Sequence, residues 1–149
     1  MKWYGNLDNR LMEGKTVPEI KEGMDITMYY WSDRTCYYVT KVVDQKHIFV
    51  KEYEVVADRD KEGGMGHQNW CYFKTKKECN DYLLKYGLGK QLNNIIEDEP
   101  EEWVFRYNKW KRVARKDGWT GEPLEKPKYY DLSGKVSFGV RDYYYDWSF

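Results

Sequence analysis

Between residues 26 and 56 the chain alternates short apolar–polar runs with three-residue polar turns, a spacing that leaves few folds open to it. Residues 26–31 (ITMYYW) place Ile26, Met28 and Tyr30 on one face. Ser32-Asp33-Arg34 separates them from residues 37–43 (YYVTKVV), and Asp44-Gln45-Lys46 separates those from residues 47–56 (HIFVKEYEVV). Alternation with period two is the pattern of a half-buried strand, and turns this short make consecutive strands antiparallel. The expected start is a bent antiparallel meander, as in small SH3-like barrels.

The rest of the chain adds one helix and more strands. Thr75 and Glu78 have capping-box spacing, and Cys79, Tyr82, Leu83 and Tyr86 recur at helical intervals before Gly87. This predicts an amphipathic helix over about 75–86. Residues 68–73 read as a strand. Leu88, Leu92, Ile95 and Ile96 suggest a second helical segment, weakened by Gly89 and Asn93-Asn94. Residues 103–107 and 110–115 predict a hairpin turning at Asn108-Lys109, and 118–128 reads as a loop. Residues 136–140 predict a closing strand with Val136, Phe138 and Val140 inward. The first 25 residues read as an irregular arm. The fold class is therefore α+β, mostly antiparallel β. The domain reading is one unit over 1–149, with 71–128 a candidate helix-plus-hairpin insertion.

Composition sharpens this. Seven Trp, fifteen Tyr and five Phe make 18% of the 149 residues aromatic, and such rings suit a pleated, half-buried surface. Lys and Arg number 25 and so do Asp and Glu, so global charge favours neither a nucleic-acid coat nor a polyanion mimic. Three cysteines without paired spacing argue against a disulfide framework. No apolar run reaches the roughly 20 residues that span a bilayer, and residues 1–10 lack the apolar core of a secretion signal. A reducing cytoplasm is the expected setting.

Catalytic and metal motifs are weak. His67 and Cys71 have HxxxC spacing with Cys79 after them, but zinc sites use converging close pairs, and free cysteines commonly pack as small hydrophobes. Neither Cys71 with His67 nor Cys36 with His47 has an orienting carboxylate in its pattern. Residues 63–66 (GGMG) lack the Lys-Ser/Thr of a phosphate loop. The expectation is no enzyme, no metal and no cofactor.

Three segments stand out as binding candidates. Residues 105–116 (FRYNKWKRVARK) carry Arg106, Lys109, Lys111, Arg112, Arg115 and Lys116 around Phe105, Tyr107 and Trp110. Cations that neutralise phosphate beside rings that stack on bases form a single-strand or RNA platform. Alternation on a hairpin would nevertheless send half of them to each face. Directly before it runs an acidic stretch containing Glu97, Asp98, Glu99, Glu101 and Glu102, read as solvated and able to pair with the basic run or to face a basic groove. The tail, residues 142–149 (DYYYDWSF), puts Tyr143, Tyr145 and Trp147 on one side; it reads either as an interface or as the strand that plugs the core.

Several stretches resemble small proteins carried by phages and mobile elements of Gram-positive bacteria: Lys2-Trp3-Tyr4-Gly5, Leu7-Asp8-Asn9-Arg10, Tyr30-Trp31-Ser32-Asp33-Arg34, residues 43–48 (VDQKHI), and residues 137–139 with 142–146. The resemblance covers the first third and the last dozen or so residues, and it brings no catalytic residues. It implies an accessory protein in the host bacterial cytoplasm. Such proteins often inhibit defence nucleases by stoichiometric binding, as anti-CRISPR proteins do. The expected partner is a bacterial defence protein such as an RNA-guided nuclease; the alternative is an SH3-like nucleic-acid-binding module using the hairpin over 103–116.

Overall fold

The computed structural model describes residues 18–61, 68–91 and 94–145. Its strands are β1 (Asp25–Tyr29), β2 (Arg34–Asp44), β3 (His47–Glu52), β4 (Glu54–Ala57), β5 (Trp70–Phe73), β6 (Glu101–Arg106), β7 (Lys109–Lys116), β8 (Pro123–Asp131) and β9 (Lys135–Phe138). One helix, α1 (Lys76–Leu84), follows β5. Seven strands form one antiparallel sheet in the order β8-β7-β6-β3-β2-β1-β9, and β4 pairs with β5 in a separate hairpin.

The meander forms as its alternation requires. Ile26 and Met28 of β1 bury against Tyr37 and Val39 of β2, Ile48 and Val50 of β3, and Trp103 of β6. Each such side chain contributes about 1.5–3 kcal/mol by leaving water. Trp103 is fully buried, its ring 5.1 Å from that of Tyr37. The hairpin within 71–128 therefore enters the central sheet, with β6 paired to β3. Trp110 of β7 meets Phe138 of β9 at 5.4 Å although four strands lie between them in the sheet order. The sheet thus curls around its core. No ladder joins β8 to β9 among the described residues.

The opposite face of β1 and β2 starts a second cluster, in which Cys36, Tyr38 and Tyr53 pack with Tyr72 and Tyr143. Tyr53 divides the expected strand over 47–56 into β3 and β4: it is buried, and its hydroxyl bonds Asp25. The tail docks here. Arg34 and Tyr144 exchange backbone hydrogen bonds, Tyr143 N–H donates to the Tyr72 hydroxyl, and Asp142 N–H donates to Thr27 Oγ1. Trp147 lies outside the described residues, as do 1–17, 62–67, 92–93 and the rest of 146–149.

Four expectations need correction. The loop read over 118–128 contains the start of β8; Pro123 and Pro127 dilute its strand signal, yet an edge strand tolerates proline. The second helical segment does not form in its described part. Gly87 (φ 74°) ends α1, Leu88 N–H bonds Leu83 C=O, and the Asn80 side chain clasps Lys90 at both backbone groups, turning the chain back. The 106–109 turn centres on Tyr107-Asn108. Val140 lies outside β9 and is 36% exposed, its carbonyl accepting from Thr27. No helix among the described residues is long and apolar enough to cross a membrane.

Candidate functional site

The β6–β7–β8 ladders decide where the basic run goes. Trp103 pairs with Arg112, Glu102 with Val113, and Phe105 with Trp110, while Arg112 pairs with Tyr130 and Val113 with Tyr129. Trp110 packs on the core beside Phe105, 5.5 Å away. Arg112 shares that face and stacks over Tyr130 at 5.1 Å. Arg106, Lys109, Lys111 and Arg115 occupy the opposite, outer face with Glu102, Tyr129 and Asp131, as strand alternation dictates.

On that outer face most of the charge is neutralised internally. Arg115 grips Glu102 with two hydrogen bonds of 2.7 and 3.0 Å, and His47 of β3 meets the same carboxylate at 2.7 Å. Glu102 is 8% exposed, so the acid run is not a uniformly solvated stretch. Hydrogen bonds from Arg115 hold its carboxyl below the ordinary glutamate range against the opposing effect of burial, with help from His47. Lys111 bonds Asp131 at 2.5 Å, and Lys109 reaches it at 3.5 Å. Lys111 and Lys109 lower the Asp131 carboxyl in turn. Lys116 is exposed at the far end of β7.

Arg106 differs. Among the described residues it has no carboxylate partner, and its guanidinium lies 4.6 Å from the Tyr129 ring centre and 5.5 Å from that of Tyr107. Tyr107 is 80% exposed and sits at φ 53°, followed by Asn108 at φ 61°. A two-residue hairpin turn wants positive φ at both positions, which suits Asn and strains Tyr.

The acid run divides too. Glu97 accepts from the N–H groups of Lys76 and Lys77 at 2.6 and 3.1 Å, reinforcing the Thr75 cap of α1. Asp98 pairs with Lys76 at 3.3 Å, and Glu99 is exposed. With Glu52, Glu54 and Glu101 they line a groove of about 310 Å³ that also holds three lysines. Burial, then the neighbouring Glu101, Glu54 and Asp98, push the Glu52 carboxyl above its ordinary range.

The β7–β8 turn, expected only as a loop, is held by a network of hydrogen bonds centred on Asp117. Asp117 Oδ1 accepts from Trp119 N–H at 2.8 Å and Thr120 N–H at 3.0 Å, Gly121 N–H donates to Asp117 C=O, and Asp117 N–H donates to Glu122 C=O. The N–H groups of Thr120 and Trp119 hold the Asp117 carboxyl below its usual range. This ordered loop presents Trp119 at 99% exposure. The Asp-Gly and Thr-Gly steps around Trp119 were the available signal. Trp31, in the β1–β2 turn, is equally exposed.

Burial raises the thiols of Cys36 and Cys79, which disfavours the reactive thiolate in both. His47 is engaged by Glu102, and His67 and the 63–66 glycines lie outside the described residues. Among the described residues no three His, Cys, Asp or Glu side chains gather as a metal site would need. Comparison with protein families, curated proteins and solved structures finds no match for the chain.

Proposed function

We propose that the chain is a non-enzymatic accessory protein that acts by stoichiometric protein–protein contact, blocking a bacterial defence nuclease in the host cytoplasm. The observation that carries this reading is Trp119, fully exposed on a loop whose backbone is already fixed by Asp117. Tryptophan dominates the energetics of protein interfaces, and a loop ordered beforehand loses little entropy on binding. Asp117 and Glu122 are the charged residues of the loop that carries Trp119, and their negative charge disfavours phosphate as the partner there. The internal pairing of Lys109, Lys111 and Arg115 supports the same preference, because a phosphate-tracking strip needs its cations free. The assignment of a defence nuclease as partner rests on the resemblance to proteins of phages and mobile elements.

The test is capture by tagged protein from lysate of bacteria carrying an RNA-guided nuclease, with and without nucleic-acid digestion, beside Trp119→Ala. Stoichiometric recovery of the RNA-guided enzyme in both arms, lost with Trp119→Ala, is the expected result. Recovery that vanishes on digestion would refute protein contact.

A further inference from the structure

The outer face of the β6–β7 hairpin holds one site that the internal ion pairs do not consume. Arg106 stacks over the Tyr129 ring at 4.6 Å and lies 5.5 Å from the ring centre of Tyr107, without a carboxylate partner among the described residues. A guanidinium stacked in this way keeps its in-plane N–H fork available, the geometry that binds a phosphate through two parallel hydrogen bonds. Beside it, Tyr107 is 80% exposed at a backbone angle unfavourable to its side-chain type. Burial does not account for a tyrosine there, and strain retained at an exposed position is a mark of function. Lys109 and Lys111 share one carboxylate, Asp131, so the immediate surroundings remain net positive.

We propose that Arg106, Tyr107 and Tyr129 form a contact site for single-stranded nucleic acid, in which Tyr107 stacks on one unpaired base and Arg106 holds an adjacent phosphate. A single strand is required because a base within a duplex offers no free face to the ring. The site is local, covering one or two nucleotides, and is distinct from the Trp119 loop. It does not depend on the protein-contact reading above: either can fail alone.

Fluorescence anisotropy of a labelled 12-nucleotide single-stranded RNA, titrated with the full chain at several salt concentrations, tests it. Engagement of one or two phosphates gives a slope of log K against log salt between about −0.7 and −1.4, whereas use of all six cations of the run would give about −4. Tyr107→Asn, which suits the turn while removing the ring, weakens binding about tenfold and leaves the melting temperature unreduced. Arg106→Lys, which keeps the charge and loses the plane, weakens it similarly. No binding of the RNA, equal binding of its duplex form or of polyglutamate, or wild-type affinity in both variants would overturn the site.

Discussion

Arg115 reaches diagonally from β7 to Glu102 of β6 in a two-pronged ion pair, 2.7 and 3.0 Å, that removes one cation from the most basic segment of the chain. His47 completes the cluster from β3, so three strands are tied at one carboxylate. The Arg115 guanidinium, helped by His47, holds the folded-state pKa of Glu102 below the ordinary glutamate value. Its contribution to stability is therefore complete above that value and is lost as pH falls through the folded pKa. Chemical denaturation between pH 7 and pH 3 should show Glu102→Gln destabilised at pH 7, with the gap to wild type narrowing towards pH 3. A gap constant with pH would mean that the pair contributes nothing through ionisation.

Trp103 is fully buried and Trp119 fully exposed, and their removal should separate folding from binding. Trp103→Ala leaves a cavity in the main core and costs about 3–5 kcal/mol, enough to lower the melting temperature by about 10 °C. Trp119→Ala should stay within about 0.5 kcal/mol of wild type. Thermal melts of the two variants check both values; a large loss with Trp119→Ala would show that the ring is structural.

The N-terminus of α1 is held from two directions, by Thr75 Oγ1 on Glu78 N–H and by Glu97 on Lys76 and Lys77 N–H. Thr75→Ala should cost about 1 kcal/mol. Glu97→Ala should lower the melting temperature in the same direction. Unchanged melting of Glu97→Ala would return that carboxylate to the set free for a partner.

Gly134 lies against the Tyr29 backbone where the chain passes into β9, and a Cβ there would collide with the Tyr29 carbonyl oxygen. Gly134→Ala should cost about 1–3 kcal/mol through forced backbone displacement. Gly118→Ala, with open space around it, should be neutral. Equilibrium unfolding of the pair tests whether β9 is seated this tightly on β1.

The parts of the fold legible in the sequence were those set by local periodicity. Ile26, Met28, Ile48 and Val50 declared their face by alternation, and Thr75, Glu78 and Gly87 declared the helix by its caps. The parts that stayed hidden depend on distant partners. β8 forms because β7 offers a ladder to a proline-containing segment that would not be extended alone, and Glu102 is buried because His47 and Arg115 arrive from other strands. For the candidate site, the hairpin was visible and its division into faces followed from alternation. That Asp131 would take up Lys109 and Lys111, and that Arg106 would meet two tyrosines 22 positions apart (107 and 129), required the tertiary arrangement.

Inhibition can be read directly by titrating purified protein into guide-directed DNA cleavage by a panel of purified RNA-guided nucleases. Stoichiometric contact predicts that cleavage by at least one enzyme falls to baseline near one equivalent, and that Trp119→Ala shifts this point to large excess. Undiminished cleavage across the panel at tenfold excess, or equal inhibition by wild type and Trp119→Ala, would contradict it.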